Sequence, residues 1–348
     1  MLSFLGGAGG GADIALSAIV KINDAQVEQA ARKAGAIMDK HFALGRYTTD
    51  FKQFQQSIDA ATSRVTAFGL TAGIYFTIKA AIQGVVKATV EMEKGLTDIN
   101  VILNLSSRNL KIFSEDLIRV AANTGQTFKT AAQAATEFSR QGLGVEETLK
   151  RTRDALILSR MAGIDTMAAV TDLTAAMNSF NNSILDSTQL VSKFVAVDQR
   201  FAVSSADLAE AIKRVGSTAQ DAGLDIDQLI GLVTALQEKT ARGGANIGQS
   251  FKTILTRVQD PGIIDQLESF GIIARDANRN LLPTIDILKR ISHEISNMPQ
   301  GDAFKIENLI GKLYQINQLK AVMEDLNRKN STADAAAGIS RGSNNEAL

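Results

Sequence analysis

The clearest chemical motif in the sequence is a glycine loop, GGANIGQS, over residues 243–250. Gly243 and Gly248 have the spacing of a phosphate-binding P-loop, in which backbone amides cradle phosphates and a lysine reaches them. Gln249 stands where that lysine is required, and the preceding residues have a helical rather than a strand pattern. We therefore interpret the segment as a glycine turn between helices, and we predict no cofactor for this chain.

Histidines and acidic residues are the next candidates for chemistry. The two histidines, His41 and His293, are far apart and form no HExxH motif, which argues against a zinc site. Paired acids can serve a glycosidase, but they are also common on exposed helix faces and in first turns. The pairs here are Glu91 with Glu93 and Glu146 with Glu147. We predict that the chain is not an enzyme and has no catalytic or metal-binding residues.

The charges of the chain are balanced, with 37 basic and 37 acidic residues. No long-range field therefore draws it onto DNA or an anionic membrane, and any DNA contact is expected to be weak. The basic cluster Lys150, Arg151 and Arg153, followed by Asp154, has no interleaved aromatic residues for base stacking. We interpret this cluster as an exposed helix face. The absence of cysteine excludes disulfides and fits assembly in a reducing cytoplasm.

The composition predicts an all-α protein. Hydrophobic residues make up 45% of the chain, whereas there are only three prolines and 5% aromatic residues. Leu149, Thr152, Leu156 and Ser159 follow the period of one helix face. Short connections favour a multi-helix bundle of short antiparallel helices. A small β-hairpin is predicted near residues 272–282.

Three glycines divide the central region into short helices: Gly142, Gly163 and Gly223. Helices often end at a left-handed residue, which glycine adopts without a Cβ penalty, and the following apolar residue folds back onto the last turn. Each of the three glycines is followed by such a residue, namely Leu143, Ile164 and Leu224. We predict that these glycines are structural helix stops.

The pattern of helices and breaks predicts six segments. They are a Gly-rich leader (1–22), amphipathic helices (23–64), an apolar helix (65–88), a core helical domain (90–258), a C-terminal helical unit with the short hairpin (259–330) and a flexible linker or tail (331–348). The break before the C-terminal unit rests on Asp260-Pro261-Gly262, where proline removes an amide donor and glycine permits a turn.

The apolar stretch 65–86 has two interpretations, a buried helix or a conditional membrane segment. Its nine Val, Leu, Ile and Phe residues favour insertion by roughly 3–5 kcal/mol, whereas its one charge, Lys79, costs about 2.5–3.5 kcal/mol. Insertion is therefore marginal, and we favour the buried helix. The expected membrane or helix-packing residues, which include a GxxxG pair, are Gly69, Gly73, Ile74, Phe76 and Ile78.

Several segments share their order and spacing with one known family. They are 90–94 (VEMEK), 121–149, 161–180, 204–236, 243–258 and 270–291. Together they resemble the core region of phage tail tape measure proteins of the lactococcal phage type, and the resemblance spans most of the chain. Met92 departs from an aromatic residue of that pattern, Gln249 from a threonine and Arg279 from a turn glycine. At the last position we expect Asn278 or Asn280 to adopt the positive φ.

The resemblance implies a structural virion protein in the tail lumen that governs tail assembly and length and is ejected ahead of the DNA. It implies assembly in the host cytoplasm and, as partners, the tail tube protein, tail tip or baseplate proteins, tail assembly chaperones and further copies of the chain. A helix rises 1.5 Å per residue, so the whole chain reaches only about 500 Å. It therefore fits either a very short tail or the leading part of a longer ruler, and its lack of long heptads favours the second.

A second function stays open because of the stretch 65–86. The chain could be a membrane-active, channel-forming component that assists genome delivery, with the host membrane as its partner and location after ejection. The two functions are compatible. They differ in whether that stretch enters a bilayer.

Overall fold

The computed structural model describes residues 90–180 and 186–343, and these residues form an all-α fold. The all-α prediction is therefore confirmed. The helices are α1 (90–103), α2 (Ser107–Thr124), α3 (Phe128–Arg140), α4 (Val145–Ala162), α5 (Thr166–Ser179), α6 (Ser187–Asp198), α7 (Ser205–Asp221), α8 (Ile226–Thr240), α9 (Gly244–Val258), α10 (Pro261–Ser269), α11 (Thr284–Asn297), α12 (Gln300–Leu326) and α13 (Thr332–Gly342).

The chain divides into two units, one of Met1–Val90 with Leu105–Ile112 and one of Glu91–Asn104 with Phe113–Leu348. The packing described below belongs to the second unit. The expected segments 1–22 and 23–64, and the apolar helix 65–88, lie outside the described residues. The same is true of Gly69, Gly73, Ile74, Phe76 and Ile78.

Most of these helices begin at a polar cap that satisfies an otherwise unpaired backbone amide. Asp186 accepts from the Gln189 amide, and Asp225 accepts from the Gln228 amide; both are complete capping boxes. The other side-chain caps are Thr127, Asp165, Ser204, Asp260 and Ser331. The short helices are thus delimited locally, by residues of the right type at each start.

One hydrophobic core joins helices α3 to α13. It extends from Ala134 in α3 to Ala336 in α13. The closest-packed pairs are α7 with α9 and α8 with α13. Phe138, Phe194 and Phe251 are fully buried within this core. Residues 259–330 contribute to the same core, with Ile264, Leu288 and Ile310 among its members.

The predicted hairpin near 272–282 is reduced to a single antiparallel bridge between Arg275 and Leu281. Asp276 organises the turn, since its Oδ1 accepts from the backbone amides of Asn278 at 2.9 Å and Asn280 at 2.8 Å. The positive φ falls on Arg279, at 65°, so our expectation that Asn278 or Asn280 adopts it was wrong. Both asparagine amides are held by the Asp276 carboxylate, which leaves the residue between them to close the turn.

The C-terminal segment also differs from its expected form. We expected residues 331–348 to be a flexible linker or tail, but Thr332–Gly342 form helix α13, with Ala333, Ala336 and Ser340 buried. Ser331 caps its first turn. Alanine has the highest helix propensity, so an Ala-rich segment becomes a stable helix once a neighbouring surface accepts its small side chains.

Candidate functional site

The glycine segment 243–250 comprises Gly243, which caps α9, and the first two turns of α9, and it lies against the start of α7. The Gly244 amide, at the first position of α9, donates to Asp207 Oδ1 at 2.8 Å. The Gly243 amide donates to Gln237 Oε1 at 3.0 Å. Asp207 Oδ2 in turn accepts from Ser204 Oγ at 2.6 Å. Amides that could bind a phosphate are therefore already occupied by side chains of this chain.

The glycines of this loop serve helix packing. A Cβ at Gly244 would overlap the backbone of Asp207, and one at Gly248 would lie 2.7 Å from the Ala211 carbonyl oxygen. Helices α7 and α9 therefore approach more closely than any larger residue permits. Gln249, at the position of the P-loop lysine, is exposed. The segment is thus a junction of α7, α8 and α9.

The acidic pairs and the histidine within the described residues show ordinary surface contacts. Glu147 forms an ion pair with Arg151 at 2.7 Å, one turn along α4. Glu91 forms an ion pair with Lys129 at 3.3 Å. His293 is exposed and lies 3.3 Å from the Asn297 side chain. Within residues 90–180 and 186–343, no three His, Asp or Glu side chains gather in a group that could hold a metal ion.

Asp154 is one of several buried carboxylates that join the helices. Its side chain has 0% exposure. Its Oδ2 accepts from Ser187 Oγ at 2.6 Å and Thr188 Oγ1 at 2.8 Å, and its Oδ1 accepts from Arg153 Nη2 at 2.9 Å. Ser187 and Thr188 begin α6, so this carboxylate joins α4 to α6. Our interpretation of residues 150–154 as an exposed face was therefore wrong for Asp154.

A second buried carboxylate, Asp172 of α5, faces Lys213 of α7, with its Oδ1 2.9 Å from the ammonium nitrogen. Burial raises the pKa of Asp172, and the nearby Lys213 only partly offsets that effect. Breaking a buried pair leaves an uncompensated charge, whereas the intact pair contributes little net stability. This pair joins α5 to α7.

The half-buried Asp198 provides a third polar connection between helices. Its Oδ2 accepts from the Ser205 amide at 2.8 Å and from Ser205 Oγ at 2.7 Å. It therefore holds the end of α6 against the start of α7. For Asp154 and Asp198 the sequence offered only a weak signal, an acid followed some distance later by Ser or Thr.

The three glycines expected to stop helices all have positive φ, at 79° for Gly142, 65° for Gly163 and 73° for Gly223. At Gly163, the following Ile164 amide donates to Ser159 O at 3.1 Å. At Gly223, the following Leu224 amide donates to Ala219 O at 2.9 Å. These bonds satisfy carbonyls that the helix end leaves unpaired.

Two further glycines end helices in the same way, and sequence reasoning missed both. Gly125 has φ 66° and Gly271 has φ 86°. The residues after them, Gln126 and Ile272, donate to Ala121 O and Leu267 O at 2.9 and 3.0 Å. The apolar residue after Gly271 was a usable signal, whereas the polar Gln126 concealed the motif at Gly125.

The helical region is similar to a known protein family. Residues 114–311, which are more than half of the chain, match the model of the family described as phage-related minor tail protein. The chain belongs to this family. The matched region begins within α2 and ends just before Lys312, where the non-helical φ of 46° breaks α12. No solved structure matches the chain significantly.

As a member of this family, the protein is a structural component of the phage tail and contacts other tail components. Residues 312–343, which complete the core with the second half of α12 and with α13, lie outside the match. In the part of the chain that the structure describes, no helix is both long and apolar enough to cross a membrane.

Proposed function

We propose that this minor tail protein is a tape measure protein, which occupies the lumen of the growing tail tube, governs tail length and is ejected ahead of the DNA. The match over residues 114–311 carries the proposal, because it places the chain in the tail. The sequence resemblance to the tape measure core, described above, supplies the specific role. Tail tube protein, tail tip or baseplate proteins, assembly chaperones and other copies of the chain are the proposed partners.

The architecture of the described region supports a tape measure protein in which the folded part and the length-determining part are distinct. Its helices are short, and glycines or polar caps delimit them every 9–18 residues up to α11. A ruler needs length, and a helix supplies only about 1.5 Å per residue. In this proposal the compact region acts as a folded part, and its short helices do not supply the ruling length.

Purification of assembled tails tests whether the protein is part of the phage particle. The protein should co-purify with assembled tails in a fixed number of copies per tail, measured by quantitative mass spectrometry. The absence of the protein from purified tails would refute the proposal and would also contradict a structural role in the virion.

An in-frame deletion tests the ruler role separately. Removing 30 residues from an extended helical ruler segment should shorten the tail by about 45 Å in electron micrographs. The matched control is Gly301→Ala within the folded region, where a Cβ meets nothing within 4 Å and tail length should not change. Tails of unchanged length in the deletion phage would overturn the ruler role and leave tail membership intact.

A further inference from the structure

The last described helix, α13, lies on the face of α8 and against α6. Its contacts at both ends are polar, and the apolar contacts between them involve mostly small side chains. The docking of such a helix depends on a few specific hydrogen bonds and ion pairs. That arrangement sets α13 apart from helices such as α7 and α9, whose large buried side chains anchor them in the core.

Asp325, at the end of α12, holds the N-terminal end of α13. Its side chain has 0% exposure. It accepts from the backbone amides of Thr332 at 3.0 Å and Ala333 at 2.9 Å, and from Ser331 Oγ at 2.8 Å. These amides are donors that the first turn of a helix leaves unpaired. One carboxylate thus positions the start of α13.

Ser340 holds the other end of α13 through a buried ion pair. Its Oγ donates to Asp227 Oδ1 of α8, and its carbonyl oxygen accepts from Lys193 Nζ of α6 at 3.0 Å. Lys193 and Asp227 lie 2.7 Å apart, with side chains only 12% and 13% exposed. The lysine charge also favours the negative end of the helix dipole. Three helices therefore meet at this group.

Small residues form the interface between these two ends. The buried residues of α13 are Thr332, Ala333, Ala336, Ala337 and Ser340. Ala side chains remove little apolar surface from water compared with Leu or Phe. On the side towards α11, a cleft of about 360 Å³ separates the helices, bridged by the exposed ion pair of Lys289 and Asp334 at 2.9 Å. Apart from the partly buried Ile339, the apolar side chains that α13 contributes to the core are alanines.

Gly231 of α8 makes the close approach possible. A Cβ at this position would overlap the carbonyl oxygen of Ala333 and lie 3.1 Å from the Ala337 Cβ. The backbone of α13 therefore rests directly on α8 at a single point without a side chain. The contact is close along the helix, and it depends on the absence of a side chain at this one position of α8.

We propose that α13 is a detachable strap, a helix that undocks from α6 and α8 as one unit while the rest of the core stays folded. Undocking uncovers the face of α8 around Gly231 and frees the chain from Ser331 onwards. A pull applied at Ser343 acts on α13 before any other described helix, because α13 is the last of them in the chain. This opening does not depend on the ruler role.

Hydrogen exchange followed by mass spectrometry tests the strap. In the unaltered protein, peptides from α13 should exchange through an opening that leaves α7 and α9 protected. Gly231→Ala should abolish protection in α13 and preserve it in α7 and α9, since alanine stabilises α8 itself while blocking the docking surface. The matched control is Gly338→Ala on α13, where a Cβ meets nothing within 4 Å and protection should be retained.

Ser340→Ala provides a second, milder variant in case Gly231→Ala disturbs folding. It removes one hydrogen bond to the buried Asp227 carboxylate, so exchange in α13 should accelerate by about tenfold or more. Exchange in α7 and α9 should not change. Equal acceleration across all three helices, or unchanged exchange of α13 in both variants, would overturn the strap.

Discussion

Substitution of Asp154 by alanine is the sharpest test of the buried carboxylates. The change removes a fully buried charge and leaves three donors, on Ser187, Thr188 and Arg153, without their acceptor. Breaking a buried pair costs about 3–5 kcal/mol. Arg153 is 44% exposed and can rehydrate. We therefore expect the free energy of unfolding to fall by an amount at the lower end of this range, about 3 kcal/mol. For a domain of this size, that lowers Tm by about 6–12 °C.

Urea unfolding followed by circular dichroism measures this loss as a lower midpoint at constant slope. The matched control is Glu137→Ala, which removes an exposed ion pair with Arg140 and should change the free energy of unfolding by less than about 0.5 kcal/mol. A loss of under about 1 kcal/mol for Asp154→Ala would refute the reasoning that this carboxylate joins α4 to α6.

A compensated variant separates the two causes of the loss. Asp154→Leu combined with Ser187→Ala and Thr188→Val removes the acceptor and both buried hydroxyl donors together. Because no buried hydroxyl then lacks a partner, most of the lost stability should return. A triple variant as unstable as Asp154→Ala would show that the carboxylate itself, rather than the unpaired donors, determines the stability.

Three further predictions concern glycines and pH. Gly248→Ala should destabilise the protein by about 1–2 kcal/mol in urea unfolding, because overpacking against Ala211 outweighs the gain in helix propensity; Gly301→Ala, in open space, should not. Gly163→Ala should cost about 1 kcal/mol in the same assay, since alanine is strained at a φ of 65° although nothing lies within 4 Å, and a stabilised variant would contradict this. Burial tends to raise the pKa of Asp325, but its hydrogen bonds outweigh burial and hold that pKa below the ordinary 3.8. Its contribution to stability is therefore present above pH 3.8 and lost as pH falls through the lower folded value. The difference in unfolding free energy between the protein and Asp325→Asn should be constant from pH 7 to 5 and shrink at pH 3; a difference that shrinks between pH 7 and 5 would contradict the lowered pKa.

Local chemistry made much of the fold predictable. Gly163 and Gly223 each combine a glycine with a following apolar residue, and both have the φ that such a helix end requires. Gln249 departs from the P-loop lysine, and the structure shows that the segment instead packs against α7. Asp207, far away in sequence, already accepts a hydrogen bond from the first amide of α9.

The failures arose where tertiary contacts outweigh local pattern. Asp154 follows a run of basic residues and has the sequence context of a surface residue, and only the arrival of α6 buries it. The segment after Ser331 is rich in Ala, Ser and Gly, as linkers are, but Gly231 of α8 provides a surface shaped for small side chains. Neither the contact of Asp154 with α6 nor the fit of α13 against Gly231 can be recognised from residues that are neighbours in the sequence.

The contact between α8 and α13 has a consequence for biosynthesis. Ser340 meets Asp227 across 113 residues of chain, so α8 leaves the ribosome well before the helix that covers it. At about 5–20 residues per second, this interval is roughly 6–23 s. During that time the nascent chain presents an uncovered apolar face in a cell that contains other copies of the same protein. Chaperone binding to nascent chains should therefore be concentrated between the emergence of α8 and that of α13.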